Sequence, residues 1–77
     1  MLTRDQLEAH MVQEFGEPFV ISYFERSVFA EGENPILYPW SMVAAERLRR
    51  EAKHFLEREG VKLGTPICEH LKLRNPK

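Results

Sequence analysis

The sequence is organised around residues 41–60, which run SMVAAERLRREAKHFLEREG. Apolar residues recur here at steps of three and four, the spacing that places side chains on one face of an α-helix. They are Met42, Ala45, Leu48, Ala52, Phe55 and Leu56. The Ser41 hydroxyl can cap the first turn, and Gly60 can adopt the left-handed conformation that ends helices. The pattern therefore predicts one continuous helix from Ser41 to Gly60.

A second helix is predicted upstream, from about Thr3 to Phe15. Thr3 and Gln6 have the spacing of a capping box, in which each side chain accepts a hydrogen bond from the other residue's backbone. Gly16 then supplies a stop. Apolar residues at intervals of four would face the core: Leu7, Met11 and Phe15.

The segment between these helices carries conflicting signals. Pro18 and Gly32 sit where the start and the end of a helix would fall, and Val20, Phe24 and Val28 repeat every four residues. Residues 19–24, FVISYF, are instead rich in the aromatic and β-branched types that favour strands. The alternative is therefore a hairpin over residues 19–38 that turns at residues 31–34. We predict the helix, because no two-residue alternation continues through residues 25–27.

Proline shapes the remaining segments. Pro35 and Pro39 restrict the residues before them to extended geometry, which predicts a strap over residues 34–40. Thr65 and Pro66 resemble the cap and first residue of a short last helix. The sequence thus predicts an all-α fold for residues 1–77: one domain of three helices, an extended proline-containing strap and a short C-terminal helix. The alternative is an α+β fold with the hairpin over residues 19–38.

The composition indicates a small globular domain. The chain has 77 residues, of which 43% are hydrophobic and 30% charged, with a net charge of −1. A chain of this composition is too apolar to be disordered and too charged to be a membrane protein. The N-terminus lacks the apolar core of a signal peptide. A single cysteine, Cys68, allows no internal disulfide, which favours a cytoplasmic location.

The small net charge hides an asymmetry along the chain. Residues 1–33 carry two basic and seven acidic residues, a balance of −5, whereas residues 34–77 carry nine basic and five acidic residues, a balance of +4. Such a division predicts either charge pairing where the two halves pack or a basic face that binds a ligand. We favour the first interpretation, because surface charge of both signs is normal.

Basic residues on the long helix make nucleic-acid binding the alternative function. They are Arg47, Arg49, Arg50, Lys53 and Arg58, and the basic C-terminal tail could extend them. Four glutamates on the same helix reduce its net charge to about +1, which weakens attraction to phosphates. The mixed pattern is more typical of a solvated helix face.

Two aromatic residues are the preferred candidates for partner binding. Tyr38 and Trp40 lie on the proline-stiffened strap and are of types that often dominate interface energetics. We expect most other aromatic residues to form the core. A partner on Tyr38 and Trp40 would be another protein or a second copy of the chain.

No motif in the chain predicts catalysis or metal binding. The soft metal ligands, His10, His54, Cys68 and His70, lack the closely spaced pairs of structural zinc sites. A Cys68–His70 nucleophile would have little scaffold around it, and no glycine-rich phosphate loop occurs. We therefore expect no enzyme activity, metal or cofactor. The predicted function is a small non-enzymatic protein-interaction or accessory module, capable of self-association, and nucleic-acid binding is the alternative.

Overall fold

The computed structural model describes residues 1–67, which form four helices and a three-stranded mixed sheet. The elements in chain order are α1 (Arg4–Phe15), α2 (Glu17–Tyr23), β1 (Val28–Ala30), β2 (Ile36–Tyr38), α3 (Met42–Glu51), α4 (Lys53–Glu59) and β3 (Lys62–Leu63). The fold class is therefore α+β, and the prediction of an all-α domain is wrong. None of the helices in this part of the chain has the length and hydropathy needed to cross a bilayer.

Helix α1 begins and ends as its sequence predicts. The Thr3 hydroxyl accepts a hydrogen bond from the Gln6 N–H at 3.2 Å, and the Gln6 side chain accepts one from the Thr3 N–H at 3.0 Å. This reciprocal pair is the capping box. Gly16 has a φ of +95°, which an L side chain rarely adopts, and it turns the chain directly from α1 into α2.

The segment from Pro18 to Gly32 is helical only in its first part. Helix α2 ends at Tyr23, where the Ser27 hydroxyl donates to the Tyr23 carbonyl at 3.0 Å, and residues 28–30 form strand β1. The prediction of a helix up to Gly32 is therefore wrong beyond Tyr23. The α+β alternative gives the correct fold class, and its hairpin is confirmed in part, since β1 and β2 pair antiparallel across the predicted turn at residues 31–34. It misplaces residues 19–23, which are helical rather than extended.

The predicted strap is the central strand of the sheet. Strand β2 pairs antiparallel with β1, with Phe29 opposite Leu37, and parallel with β3, with Leu37 opposite Leu63. Leu37 is consequently fully buried. At the end of β3, a Cβ on Gly64 would lie 2.5 Å from the Tyr38 ring, so only glycine fits this close approach.

The predicted single helix over residues 41–60 is two helices that meet at Ala52. The terminal caps are confirmed: the Ser41 hydroxyl accepts from the Ala44 N–H at 3.0 Å, and Gly60 is left-handed with a φ of +77°. Ala52 has a non-helical ψ of 14° and separates α3 from α4. The junction is a bend and not a loop, because the Ala52 N–H still donates to the Leu48 carbonyl at 2.9 Å and the Leu56 N–H to the Ala52 carbonyl at 2.8 Å. Residues 51–53 include neither glycine nor proline.

The core lies between the helices and one face of the sheet. Its buried members are Leu7, Met11, Val20, Phe24, Leu37, Leu48, Ala52, Phe55, Leu56 and Val61. Phe15 connects α1 to its neighbours, since its ring stacks on Phe19 at 4.7 Å and meets Phe55 edge-on at 5.4 Å between centroids. Met42 was predicted to face the core but is 55% exposed, and Ala44 is buried instead.

The predicted C-terminal helix would begin near Thr65 and continue past Ile67, so most of it lies outside the described residues. The Ile67 N–H donates to the Pro39 carbonyl at 2.8 Å. This contact holds the end of the described chain beside the segment that follows β2.

Candidate functional site

A groove lies between helices α3 and α4 on one side and residues 61–66 on the other; we call it the α3–β3 groove. One part has a volume of about 500 Å³, and its lining includes Arg49, Lys53, Leu56, Val61, Lys62 and Leu63. A second part of about 430 Å³ is lined by Met42, Val43, Ala45, Glu46, Arg49, Thr65 and Pro66. Arg49 lines both parts, so its side chain lies between them.

Basic side chains dominate the rim of the first part. Arg49, Lys53 and Lys62 are all exposed, and none has an ion-pair partner among residues 1–67. Glu57 is the single carboxylate in the lining of this part, and the His54 ring lies 3.8 Å from it. The groove therefore presents an excess of positive charge to solvent.

The floor of the groove is apolar. Leu56 and Val61 are buried core residues, and Leu63 is half-buried beside them. In the second part of the groove, Met42 and Val43 expose 55% and 66% of their surface. The arrangement can hold a ligand that carries both anionic groups and apolar side chains. The residues that line the two parts include no aromatic side chain.

The five basic residues singled out in the sequence have different environments. Arg47 is half-buried, with its guanidinium 5.0 Å from the Tyr23 ring centroid and its Nε atom 2.8 Å from the Glu51 carboxylate. That Nε atom lies at ion-pair distance but without hydrogen-bond geometry. Arg58 pairs with Glu14 at 3.0 Å. Both residues therefore join elements of the fold.

The other three of these basic residues are exposed and lie in or next to the groove. Arg49 and Lys53 line the groove, whereas Arg50 lies outside both of its parts. Arg50 is exposed and lines a smaller depression with Glu46 and Arg49. Like its neighbours, Arg50 has no ion-pair partner within residues 1–67. The basic surface thus extends past the groove on one side.

The two aromatic residues predicted to bind a partner are half-buried and do not line the groove. The Trp40 indole N–H donates to the Ser22 carbonyl at 2.9 Å, and the Arg26 guanidinium lies 4.6 Å from its ring centroid. The Tyr38 ring packs closely against Gly64. Both rings are therefore engaged in contacts that hold the sheet and α2 in place.

Leu63 and the other apolar residues of the groove were not predicted as site residues from the sequence, and Lys62 was expected only as a possible extension of the basic helix face. Lys62 and Leu63 belong to β3, and they reach the groove because β3 pairs with β2. The available signal was the alternation of Val61, Lys62 and Leu63, which places an exposed charge between two apolar residues. That signal covers too few residues to predict where the segment packs.

Metal ligands do not cluster in the described part of the chain. Within residues 1–67, no three His, Cys, Asp or Glu side chains are arranged so that they could hold an ion. His10 lies 3.0 Å from the Glu59 carboxylate, and His54 is exposed. Cys68 and His70 lie outside the described residues.

Comparison with known proteins provides no relative: no family model, curated protein or solved structure matches this chain. A functional proposal therefore depends on the geometry and charge of the α3–β3 groove.

Proposed function

We propose that the protein is a small non-enzymatic protein-interaction module whose α3–β3 groove binds an acidic, partly apolar segment of another protein. The observation that supports this proposal is the combination of three exposed cations without ion-pair partners among residues 1–67 and an apolar floor in one groove. The three cations are Arg49, Lys53 and Lys62. We also propose a cytoplasmic location, based on the single cysteine of the chain.

The two kinds of surface would have different roles in binding. Exposed cations attract an oppositely charged partner and fix its orientation more than they add affinity, because they remain solvated. Apolar contacts with Leu63, Met42 and Val43, which still expose apolar surface, would add affinity by removing that surface from water, at about 25 cal/mol per Å². A segment that is only acidic would leave the apolar residues of the groove uncovered, and a segment that is only apolar would leave its cations without partners.

Nucleic-acid binding is the second candidate, supported by the exposed strip of Arg49, Arg50 and Lys53. It ranks second because phosphate binding is mainly electrostatic and would leave the apolar floor of the groove unused. The lining also lacks aromatic side chains, on which the bases of single-stranded nucleic acids commonly stack.

A second copy of the chain is a further possible partner, because residues 1–33 carry a balance of −5. The hypothesis that Tyr38 and Trp40 contact a partner stays a prediction. Their present contacts lie within the fold, so a partner would meet the ring surface that these contacts leave exposed.

The proposal is tested by fluorescence anisotropy with a labelled peptide of alternating sequence, Glu-Val-Glu-Val-Glu-Val-Glu. We expect the variant with Arg49→Glu, Lys53→Glu and Lys62→Glu to bind at least about tenfold more weakly than wild type, because repulsion replaces attraction. The matched control is Arg50→Glu, a charge reversal next to the groove, which should change peptide affinity by less than about twofold. A Lys-Val peptide should not bind.

The same titration with single-stranded oligothymidylate separates the two candidate functions. Phosphate binding by the helix face would weaken as much with Arg50→Glu as with a reversal inside the groove, and it would fall steeply with salt. Salt-sensitive oligonucleotide binding of this kind, together with no binding of the Glu-Val peptide, would overturn the proposal.

A further inference from the structure

We infer that the acidic segment binds as an added β-strand along the free edge of β3; this inference rests on the proposed function above. An extended peptide that adds to a sheet edge gains affinity from main-chain hydrogen bonds and specificity from alternate side chains.

The hydrogen bonds of β3 show which of its backbone groups are already used. The Lys62 N–H donates to the Pro35 carbonyl at 3.0 Å, and the Gly64 N–H donates to the Leu37 carbonyl at 2.8 Å. Backbone groups of successive residues in a strand point to opposite sides, so those of Leu63 point away from β2. Thr65, two residues further along and just past β3, has an N–H without a backbone partner among residues 1–67. These two N–H groups are the edge to which an added strand would bond.

This free edge faces the groove. Leu63 lines the first part of the α3–β3 groove and Thr65 lines the second, and Arg49 lines both. A strand added beside β3, at the usual spacing of about 4.8 Å, would run between β3 and the α3–α4 wall. Both ends of the groove would then contact one continuous segment.

The side chains of β3 indicate the pattern of the added strand. Lys62 is exposed and Leu63 is half-buried, so neighbouring positions of β3 differ in polarity. Directly opposed residues on adjacent strands interact, and opposite charges and apolar pairs are each favourable. An acidic residue opposite Lys62 and an apolar residue opposite Leu63 satisfy both positions. The preferred partner is thus an extended segment in which acidic and apolar residues alternate.

Charge argues for a partner protein over the other possible occupants of this edge. Residues 68–77 carry three basic residues and one acidic residue, so the basic rim would repel the chain's own C-terminal segment. The other edge strand, β1, consists of Val28, Phe29 and Ala30 and has no charge with which to select an acidic segment.

Backbone N-methylation of the Glu-Val peptide tests the inference directly. In an added strand, alternate N–H groups point at β3, and methylation of those groups both removes a donor and introduces a clash. We expect affinity to fall at least about tenfold at every second internal position and to stay within about twofold of the parent peptide at the positions between. A profile without this alternation would overturn strand addition and leave the groove proposal standing, provided that the charge reversals still weaken binding. No binding of the parent peptide would overturn both.

Amide hydrogen exchange in the full chain supplies an independent readout. The Leu63 and Thr65 amides should exchange rapidly in the free protein and slow markedly when the peptide is bound, whereas the Gly64 amide should be protected in both states. Protection of Leu63 and Thr65 without peptide would show that the edge is already occupied, and it would contradict the inference.

Discussion

At the scale of single residues, Arg4 makes contacts that its sequence position does not suggest. Its guanidinium donates to the Ser27 carbonyl at 2.9 Å and the Glu25 carbonyl at 2.7 Å, just past the end of α2. The same group lies 4.6 Å from the Phe24 ring centroid. Arg4 therefore stabilises the turn that connects α2 to β1. Its partners lie more than twenty residues away, so local patterns such as caps and i,i+4 pairs cannot reveal this role.

We expect Arg4→Ala to lower the free energy of unfolding by about 2 kcal/mol, because two carbonyls lose a charged hydrogen-bond donor. Urea denaturation followed by circular dichroism measures this change. Arg26→Ala is the comparison variant, since its guanidinium stacks on Trp40 and makes no hydrogen bond of this kind within residues 1–67. An Arg4→Ala midpoint equal to that of wild type would show that the turn holds without these bonds.

At the scale of elements, the sequence predicts four helix ends correctly but neither the end of α2 at Tyr23 nor the strand bounds. Thr3, Gly16, Ser41 and Gly60 all act as the caps or stops expected of them, because capping depends on residues within a turn of each other. The strands have three, three and two residues, too few for a periodic pattern. Strands β1 and β2 form the hairpin of the α+β alternative, whereas β3 is defined by pairing with the distant β2, which local patterns do not reveal.

The bend at Ala52 is not predicted from the sequence either. Local spacing is compatible with one helix from Ser41 to Gly60, and the apolar stripe through Leu48, Phe55 and Leu56 is indeed buried. Residues 51–53 contain no helix-breaking residue, so nothing local marks the position of the bend.

Phe55 tests the packing between α4 and α1. Its side chain is 3% exposed and meets Phe15 edge-on, so Phe55→Ala should cost about 3–5 kcal/mol of stability. Such a loss is a large share of the total for a small domain. Val43→Ala on the neighbouring helix is the matched truncation of an exposed apolar side chain and should cost less than about 0.5 kcal/mol. Similar thermal midpoints for the two variants would contradict the described core.

At the scale of the whole molecule, paired and unpaired charges lie in different places. Glu14 and Arg58 pair across α1 and α4, so part of the charge is matched where the two halves pack. Three cations on the opposite side of α3, α4 and β3 keep no such partner among residues 1–67: Arg49, Lys53 and Lys62. The fold thus separates a paired interface from a basic groove.

The candidate site was only partly predictable for this reason. Arg49 and Lys53 stand out in the sequence as members of a basic helix face. Lys62 and Leu63 join them because β3 pairs with β2, whereas the Arg47 and Arg58 side chains are paired with glutamates. The composition indicates that the chain has a basic surface, whereas the tertiary fold determines which residues form it.

The most direct test of the central claim is a ¹H–¹⁵N NMR titration of the full chain with the Glu-Val peptide. If the α3–β3 groove is the binding surface, amide shifts should concentrate at Arg49, Lys53 and residues 61–66, and they should disappear in the variant with the three groove cations reversed. Shifts centred instead on Tyr38 and Trp40, or no shifts at millimolar peptide, would contradict the claim.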